Sequence, residues 1–312
     1  MSVVCFGELL IDFVAFESGV SVGEASGFQK APGGAPANVA VAVSRLGHES
    51  AFIGQVGDDP FGQFLSEVMN AEGVDISGLR FSQVARTALA FVSLTAEGER
   101  SFVFYRHPSA DMLMTADDVA LDSIDGRRIF HFGSITMIHE PSRSATLMAA
   151  QYAHSQGLMI SYDPNLRLSL WPDADSARRG MLTGLNYAHV VKVSDEEVEF
   201  LTGGPDIEPL WREQMQIVIV THGAGGATVH TRKQAHRLSG FRVPTVDTTG
   251  AGDAFVAGVL TGILEHWGDH MAHIDAIVRF ANAVGALATT QRGAIPSLPS
   301  RAAVDAFLNA PQ

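Results

Sequence analysis

Short, mostly apolar runs fall at positions 3–6, 51–55, 128–132, 158–162, 190–193 and 217–221, each bounded by polar residues or glycine. A short run without polar alternation predicts a strand buried on both faces. Between these runs, apolar positions recur at helical spacing over 37–46, 60–71, 142–156, 174–185 and 195–201. Strand and helix therefore alternate. That order predicts an α/β fold, with a mostly parallel central sheet between two helical layers. No repeat or low-complexity linker divides the chain, so 1–312 reads as a single domain.

Two regions leave this rhythm. Positions 87–94 and 100–106 are rich in β-formers and are joined by Ala96-Glu97-Gly98-Glu99, which reads as a hairpin. Short β-type segments at 13–16 and 28–30 can pair with it. A small β-sheet lid is expected, formed discontinuously by about 12–35 and 85–110; the plain alternative is an edge hairpin. Beyond residue 250 the pattern is helical, over 252–266, 272–290 and 301–308.

Composition narrows the function classes. Apolar residues make up 46% and charged residues 18% of the 312, which excludes a disordered chain. The formal net charge of −13 repels phosphate backbones and anionic lipid, so neither nucleic acid nor membrane is expected as a partner. A small anionic ligand in a local positive pocket remains open. The single cysteine, Cys5, lies in an apolar run and reads as a buried thiol. No stretch of about 20 apolar residues is evident, so no transmembrane helix is expected. The first residues lack a basic region and carry Glu8 and Asp12, unlike a signal peptide. A cytoplasmic protein is expected.

The strongest chemical signal is Asp247-Thr248-Thr249-Gly250-Ala251-Gly252-Asp253, followed by an apolar helix. Small residues let a ligand approach the backbone, and the N–H groups at a helix start attract anions. Asp253 in that first turn has two readings. It can simply favour the helix dipole. It can also be the acid that deprotonates an attacking hydroxyl beside a phosphate-holding loop. A second segment, Pro32-Gly33-Gly34-Ala35-Pro36-Ala37-Asn38, also opens a helix, and Asn38 offers a donor and an acceptor to hydroxyls. Asp12 lies just past the first strand, where open α/β sheets bind ligands. Turns and caps are the plain alternative for each. Residues 54–62 read as a strand end before a Pro-started helix. Thr221-His222-Gly223-Ala224-Gly225-Gly226 follows a strand but lacks the Lys-Ser/Thr ending of a Walker loop, and no G-x-G-x-x-G follows the first strand.

These pieces, in this order, resemble the PfkB (ribokinase-like) carbohydrate kinases over nearly the whole chain. Gly33 through Asn38 is similar to the family's first signature and Asp247 through Asp253 to its second, about 215 residues later. Gly7-Glu8-Leu9-Leu10-Ile11-Asp12, the stretch from Phe104 to Asp111, Asp163-Pro164-Asn165-Leu166-Arg167 and Lys192-Val193-Ser194-Asp195-Glu196-Glu197 resemble the fructokinase branch. The resemblance implies a ribokinase-like three-layer α/β/α domain with a lid. It implies an ATP-dependent sugar kinase, with fructose as substrate and fructose 6-phosphate as product. Asp253 would be the general base, with Gly250, Ala251 and Gly252 as the anion hole. Asp12, Gly33, Gly34 and Asn38 would hold the sugar. Thr221, Gly223, Gly226 and Asn282 would line the nucleotide site. Glu197 would stand near the phosphates, where Mg2+ bridges ATP. K+ would be held by the positions of Asp247, Thr249, Ala288, Gly293 and Ser297. One position departs from the family's Asn-x-x-Glu pattern: Ser194 replaces the asparagine.

Arg106 and Arg167 are candidates for substrate contact, with surface ion pairing as the alternative. Tyr105 and Arg106 keep a carboxylate grip open, as in 2-keto-3-deoxygluconate kinases. An aminoimidazole riboside or other nucleoside-type kinase is a second alternative, and a non-catalytic sugar sensor a third. His266, His270 and His273 have helical spacing, but Gly268 interrupts them and no acid cluster joins them, so an exposed helix end is expected there. Asp117 and Asp118 after Thr115 read as a cap. Phe13, Phe16, Phe91, Phe102 and Phe104 would leave an apolar lid surface through which a homodimer could form.

Overall fold

A computed structural model of the chain describes residues 1–94 and 100–310. The expected hairpin turn through Ala96-Glu97-Gly98-Glu99 lies outside the described residues. In chain order the elements are β1 (Ser2–Phe6), β2 (Leu10–Ser18), β3 (Phe28–Gly33), α1 (Ala35–Arg45), β4 (Glu49–Gly57), α2 (Pro60–Ala71), β5 (Asp75–Ser82), β6 (Leu89–Leu94) and β7 (Arg100–Tyr105). Next come β8 (Ile129–Phe132), α3 (Ser142–Ser155), β9 (Met159–Tyr162), α4 (Ala174–Leu185), β10 (Val190–Ser194), α5 (Asp195–Thr202) and β11 (Ile217–Thr221). The last are β12 (Ala227–His230), β13 (Ala235–Leu238), α6 (Ala251–Glu265), α7 (Ile274–Ala288), α8 (Ala294–Ser297) and α9 (Arg301–Asn309).

The main sheet has nine strands in the order β13-β12-β11-β10-β9-β8-β1-β4-β5. All its pairings are parallel except β11–β12 and β12–β13. β1 sits inside it, with Val3 opposite Ser50 on one side and Ile129 on the other, and all five of its residues are buried. One apolar cluster packs α1, α6 and α7 on one face. A second packs α3, α4 and α5 on the other. These are the two helical layers the alternation predicts.

The lid is a four-stranded sheet in the order β3-β2-β6-β7. Its strands are longer than expected: β2 already begins at Leu10 and β3 runs on to Gly33. It therefore joins the main sheet through only three residues after β1. The aromatic surface is smaller than expected. Phe91 stacks on Phe13 at 5.0 Å, and Phe13 meets Phe61 of α2 edge-on at 5.8 Å. Among the described residues of the lid, Phe16, Val103 and Tyr105 are the exposed large apolar ones.

Three strands escaped the sequence reading. β5 and β13 are the two edge strands of the sheet and β12 lies next to β13; all three mix polar and apolar residues, so they show no apolar run. The helix expected from 272 instead starts at Ile274, after a 3₁₀ turn over His270–His273. His270–Ala288 is long and apolar enough to cross a membrane, with mean hydropathy 1.2, contrary to the expectation that no segment is. Half of it is buried in this fold, where Ile277, Val278, Ala281 and Val284 pack in the core beside α6. Two modest expectations hold. Asp59 caps α2 by accepting from the Phe61 and Gly62 N–H groups at 3.0 Å, and Thr115 with Asp118 forms a capping box.

Candidate active site

The two glycine-rich segments meet. α1 starts after Gly34 and α6 after Gly250, and the helices pack against each other. Asn38, in the first turns of α1, donates from Nδ2 to Asp253 Oδ2 at 2.7 Å. Asp253 is only 8% exposed. Burial pushes its carboxyl up to about 6; the Asn38 hydrogen bond opposes this, Asp163 adds to it, and Arg167 and Lys192 pull it back. A carboxylate set there is ionised at neutral pH and close enough to it to accept a proton.

Gly250 turns the chain into α6 with φ 76°. A Cβ on it would lie 3.1 Å from Ala294. The Ala251 N–H is already used, donating to Thr248 O at 3.2 Å. The Gly252 and Asp253 N–H groups lie in the first turn, where a helix supplies no carbonyl partner. Of the expected anion hole, Gly252 thus offers its N–H directly, while Gly250 and Ala251 shape the turn.

On the lid side, a Cβ on Gly33 would collide with Asp12 Oδ2, and one on Gly34 with the Glu8 carbonyl. Gly34 also needs φ 113°. Both glycines are demanded by close approach. Glu8 lies beneath, accepting from the Ala35 N–H at 2.9 Å, and burial raises its carboxyl to about 7.

The two candidate arginines part company. Arg106 is 3% exposed and bound through Nε and Nη2 to Asp111, whose other oxygen accepts from Ser109 Oγ at 2.5 Å. This is a buried ion pair, so the surface-pair alternative is corrected for Arg106. Arg167 donates to the Leu166 carbonyl at 3.0 Å, stacks over Phe102 of the lid at 5.6 Å, and its charge reaches Asp253.

Sequence reasoning gave no role to Lys192 or Asp163. Asp163 directly follows the carboxyl end of β9, Lys192 sits midway along the neighbouring β10, and Lys192 Nζ lies 3.2 Å from Asp163 Oδ2. Burial works against the ammonium, but Asp163, Glu197 and Asp253 outweigh it and hold its pKa above the ordinary lysine value. A Cβ on Gly252 would lie 3.4 Å from Nζ, which puts this cation over the start of α6. A lysine inside an otherwise apolar strand was the signal available. Glu197 accepts from the Leu166 N–H at 2.7 Å and the Ser194 N–H at 2.8 Å. Ser194 Oγ accepts from the Glu197 N–H, so the residue that departs from the family pattern caps α5.

Thr221, Gly223, Gly226 and Asn282 all line one cavity of about 210 Å³, which reaches Ala251 and Gly252. Asn282 Nδ2 donates to Ser239 O at 3.2 Å. Gly226, at φ 89°, lets β12 pass the Leu238 carbonyl, which a Cβ would strike. Phe241 and Val243 add apolar wall that the sequence did not reveal.

Three of the residues expected to hold a monovalent cation, Asp247, Thr249 and Gly293, are hydrogen-bonded together. Asp247 Oδ1 accepts from the Thr249 N–H at 2.9 Å and from its hydroxyl at 2.6 Å, and Oδ2 accepts from the Gly293 N–H at 2.9 Å. Ala288 ends α7, one residue before Thr289, whose carbonyl accepts from the Val246 and Asp247 N–H groups. Gly293 precedes α8 and Ser297 ends it. This loop pair supplies oxygen donors, the donor type a hard cation takes.

Comparisons with known proteins identify the family. A family model described as pfkB family carbohydrate kinase matches residues 1–301. Fructokinase-2 of Solanum lycopersicum is 50% identical over 305 residues, covering 96% of this chain and 93% of that protein. A fructokinase double mutant from Vibrio cholerae, crystallised in fructose, ADP and potassium ion bound form, is 40% identical. It superposes with a TM-score of 0.89 over 99% of this chain and 98% of that one. Aminoimidazole riboside kinase from Salmonella enterica superposes at 0.84 with 31% identity over 100% of both chains. The architecture is thus ribokinase-like, as the sequence resemblance implies. Since the family match spans residues 1–301 and so takes in both glycine-rich segments and every residue of the cavity, the chain belongs to the pfkB family of carbohydrate kinases.

Proposed function

We propose that this chain is a fructokinase, transferring the γ-phosphoryl group of ATP to the 6-hydroxyl of fructose. The observation that carries this reading is the 2.7 Å contact between Asn38 and Asp253, which joins the lid-side sugar segment to the helix start that faces the nucleotide cavity. The identity to plant fructokinases selects the sugar.

In this mechanism the sugar lies under the lid against Asp12, Gly33, Gly34 and Asn38. Its primary hydroxyl points at Asp253, which takes the proton as the oxygen attacks phosphorus. Charge gathering on the transferred group meets the α6 N-terminus, with the Gly252 N–H and the Lys192 ammonium beside it. The nucleotide extends along Thr221, Gly223, Gly226 and Asn282. When bound, Mg2+ neutralises phosphate charge, and Glu197 and Asp163 are the carboxylates on that side. K+ would be held by oxygen donors around Asp247, Thr249, Ala288, Gly293 and Ser297, and would supply positive charge behind the anion hole. Arg167 links lid to site, so closing the lid over the sugar brings its charge in and excludes water that would compete for the phosphoryl group. Arg106 holds the lid base through Asp111. Phe16, Val103 and Tyr105 are the face through which a homodimer would form; a monomeric mass at micromolar concentration overturns that part. A reducing cytoplasmic setting belongs to the same proposal and rests on the buried Cys5 thiol.

A coupled ADP-release assay with ATP, Mg2+ and K+ tests the reading over fructose, glucose, ribose, 2-keto-3-deoxygluconate and aminoimidazole riboside. Fastest turnover on fructose is expected. Fastest turnover on the acid sugar transfers the substrate role to a carboxylate grip by Arg167. Fastest turnover on the riboside makes the Salmonella enzyme the better guide. Sugar binding without ADP release makes the protein a sensor.

A further inference from the structure

We propose that His266, Asp269 and His273 form a zinc-type transition-metal site that clips the end of α6 to the start of α7. The imidazole nitrogens and the carboxylate oxygen concerned all lie within 4.8 Å of one another. His273 Nε2 and Asp269 Oδ2 are 3.3 Å apart. A tetrahedral Zn2+ with bonds of about 2.0–2.1 Å has ligand–ligand edges of ~3.3–3.4 Å, so this pair already stands at the required separation. The His266 and His273 rings stack at 4.0 Å, 16° from parallel, which keeps the third ligand beside the other two. Two imidazoles and a carboxylate suit Zn2+, Ni2+ or Cu2+ and disfavour Mg2+ and Ca2+, which prefer all-oxygen sites.

The backbone holds these ligands in place. His266 is the residue that closes α6, and His273 the one that opens α7. Gly268, at φ 100°, reverses the chain between them. Below the turn the two helices are locked in contact: a Cβ on Gly262 would lie 2.8 Å from Ile277, and one on Gly258 2.7 Å from Ala281. In sequence Gly268 interrupts the three histidines and no acid cluster joins them, which predicts an exposed helix end; the fold instead brings Asp269 to two of them. His270 is 9% exposed and turned inward, with Nε2 3.2 Å from Gln216 Oε1. Asp269 takes the third place, giving the pattern His-x2-Asp-x3-His. The Asp269 side chain is 65% exposed, so water fills the fourth position. Thirteen residues of helix separate this turn from Asp253, about 20 Å, so the site is structural and independent of the kinase reading.

Titrating Zn2+ into the full chain by calorimetry, with millimolar Mg2+ present to occupy oxygen-only positions, tests the proposal. One zinc per chain at micromolar affinity is expected, with a raised unfolding temperature. The H266A/H273A variant should show neither effect, while its circular dichroism spectrum matches the wild type. Asp269→Asn should bind more weakly. Should the double variant fail to fold, His273→Gln gives the same comparison. Absence of binding up to about 100 µM zinc, or an unchanged isotherm in the histidine variants, overturns the site.

Discussion

Asn38 and Asp253, 215 residues apart in sequence, share a buried hydrogen bond of 2.7 Å at the start of their two helices. The amide steadies the ionised carboxylate against the burial that raises it to about 6. Asp253→Asn removes the base and leaves the packing. Turnover should fall about 10³-fold, while fructose binding measured by calorimetry changes little. Retained turnover would remove Asp253 from the proton transfer.

The same group ties activity to pH and against stability. Its carboxyl titrates at about 6 in the fold, above the ordinary aspartate value of 3.8. The stability it contributes is present below that ordinary value and is lost as pH rises through about 6. At pH 7.5 the ionised Asp253 therefore destabilises the fold, by up to about 3 kcal/mol. Asp253→Asn should unfold at higher denaturant than wild type at pH 7.5, and the gap should narrow as pH falls to 5. Wild-type turnover should rise with pH through about 6. A stability gap independent of pH would show that the burial of this charge is relieved elsewhere.

Lys192 bears on the phosphate side. Its ammonium lies 3.2 Å from Asp163 and is turned toward the start of α6. Lys192→Met should lower kcat about 10²-fold, the size of effect seen when one preorganised donor to a transition-state charge is lost. Lys192→Arg should recover part of it. The KM for fructose should stay within a few-fold. A rise confined to the sugar KM would place Lys192 on the wrong side of the site.

Gly33 tests the sugar side. A Cβ there would occupy the place of Asp12 Oδ2, so Gly33→Ala must displace the carboxylate. The fructose KM should rise at least about tenfold, equal to about 1.4 kcal/mol, with ATP binding unchanged. Steady-state kinetics with each substrate varied in turn separates the two effects.

Much of this site was legible beforehand because its parts are local. Gly250 through Asp253 and Gly33 through Asn38 each announce a helix start with room for a ligand. The buried strands β1, β4 and β8 to β11 announce themselves as apolar runs. The remainder depends on what only folding brings together. β12 and β13 carry few apolar residues, yet the segments beside them, Gly226 before β12 and Gly240, Phe241 and Val243 after β13, line the nucleotide cavity. Lys192 belongs to the site because Asp163 lies on the neighbouring strand. Nor does local sequence show that Asp111, five residues on from Arg106, will engage it in the interior.

That last pair separates the two arginines by experiment. Arg106 and Asp111 are both almost fully buried, at 3% and 1% side-chain exposure, and bonded to each other. Removing one leaves the other charge desolvated and unpaired, which costs about 3–5 kcal/mol. Arg106→Leu should therefore lower the denaturation midpoint sharply, and the R106L/D111L pair should restore most of the loss. Among the described residues, Arg167 bonds the Leu166 carbonyl and stacks on Phe102, while its charge acts on Asp253. Arg167→Leu should leave the midpoint nearly unchanged and reduce kcat/KM about tenfold or more, since the charge it holds toward Asp253 and the transferred group is gone. Loss of stability from Arg167→Leu with kcat/KM intact would exchange the two roles. It would make Arg106 the arginine that meets substrate.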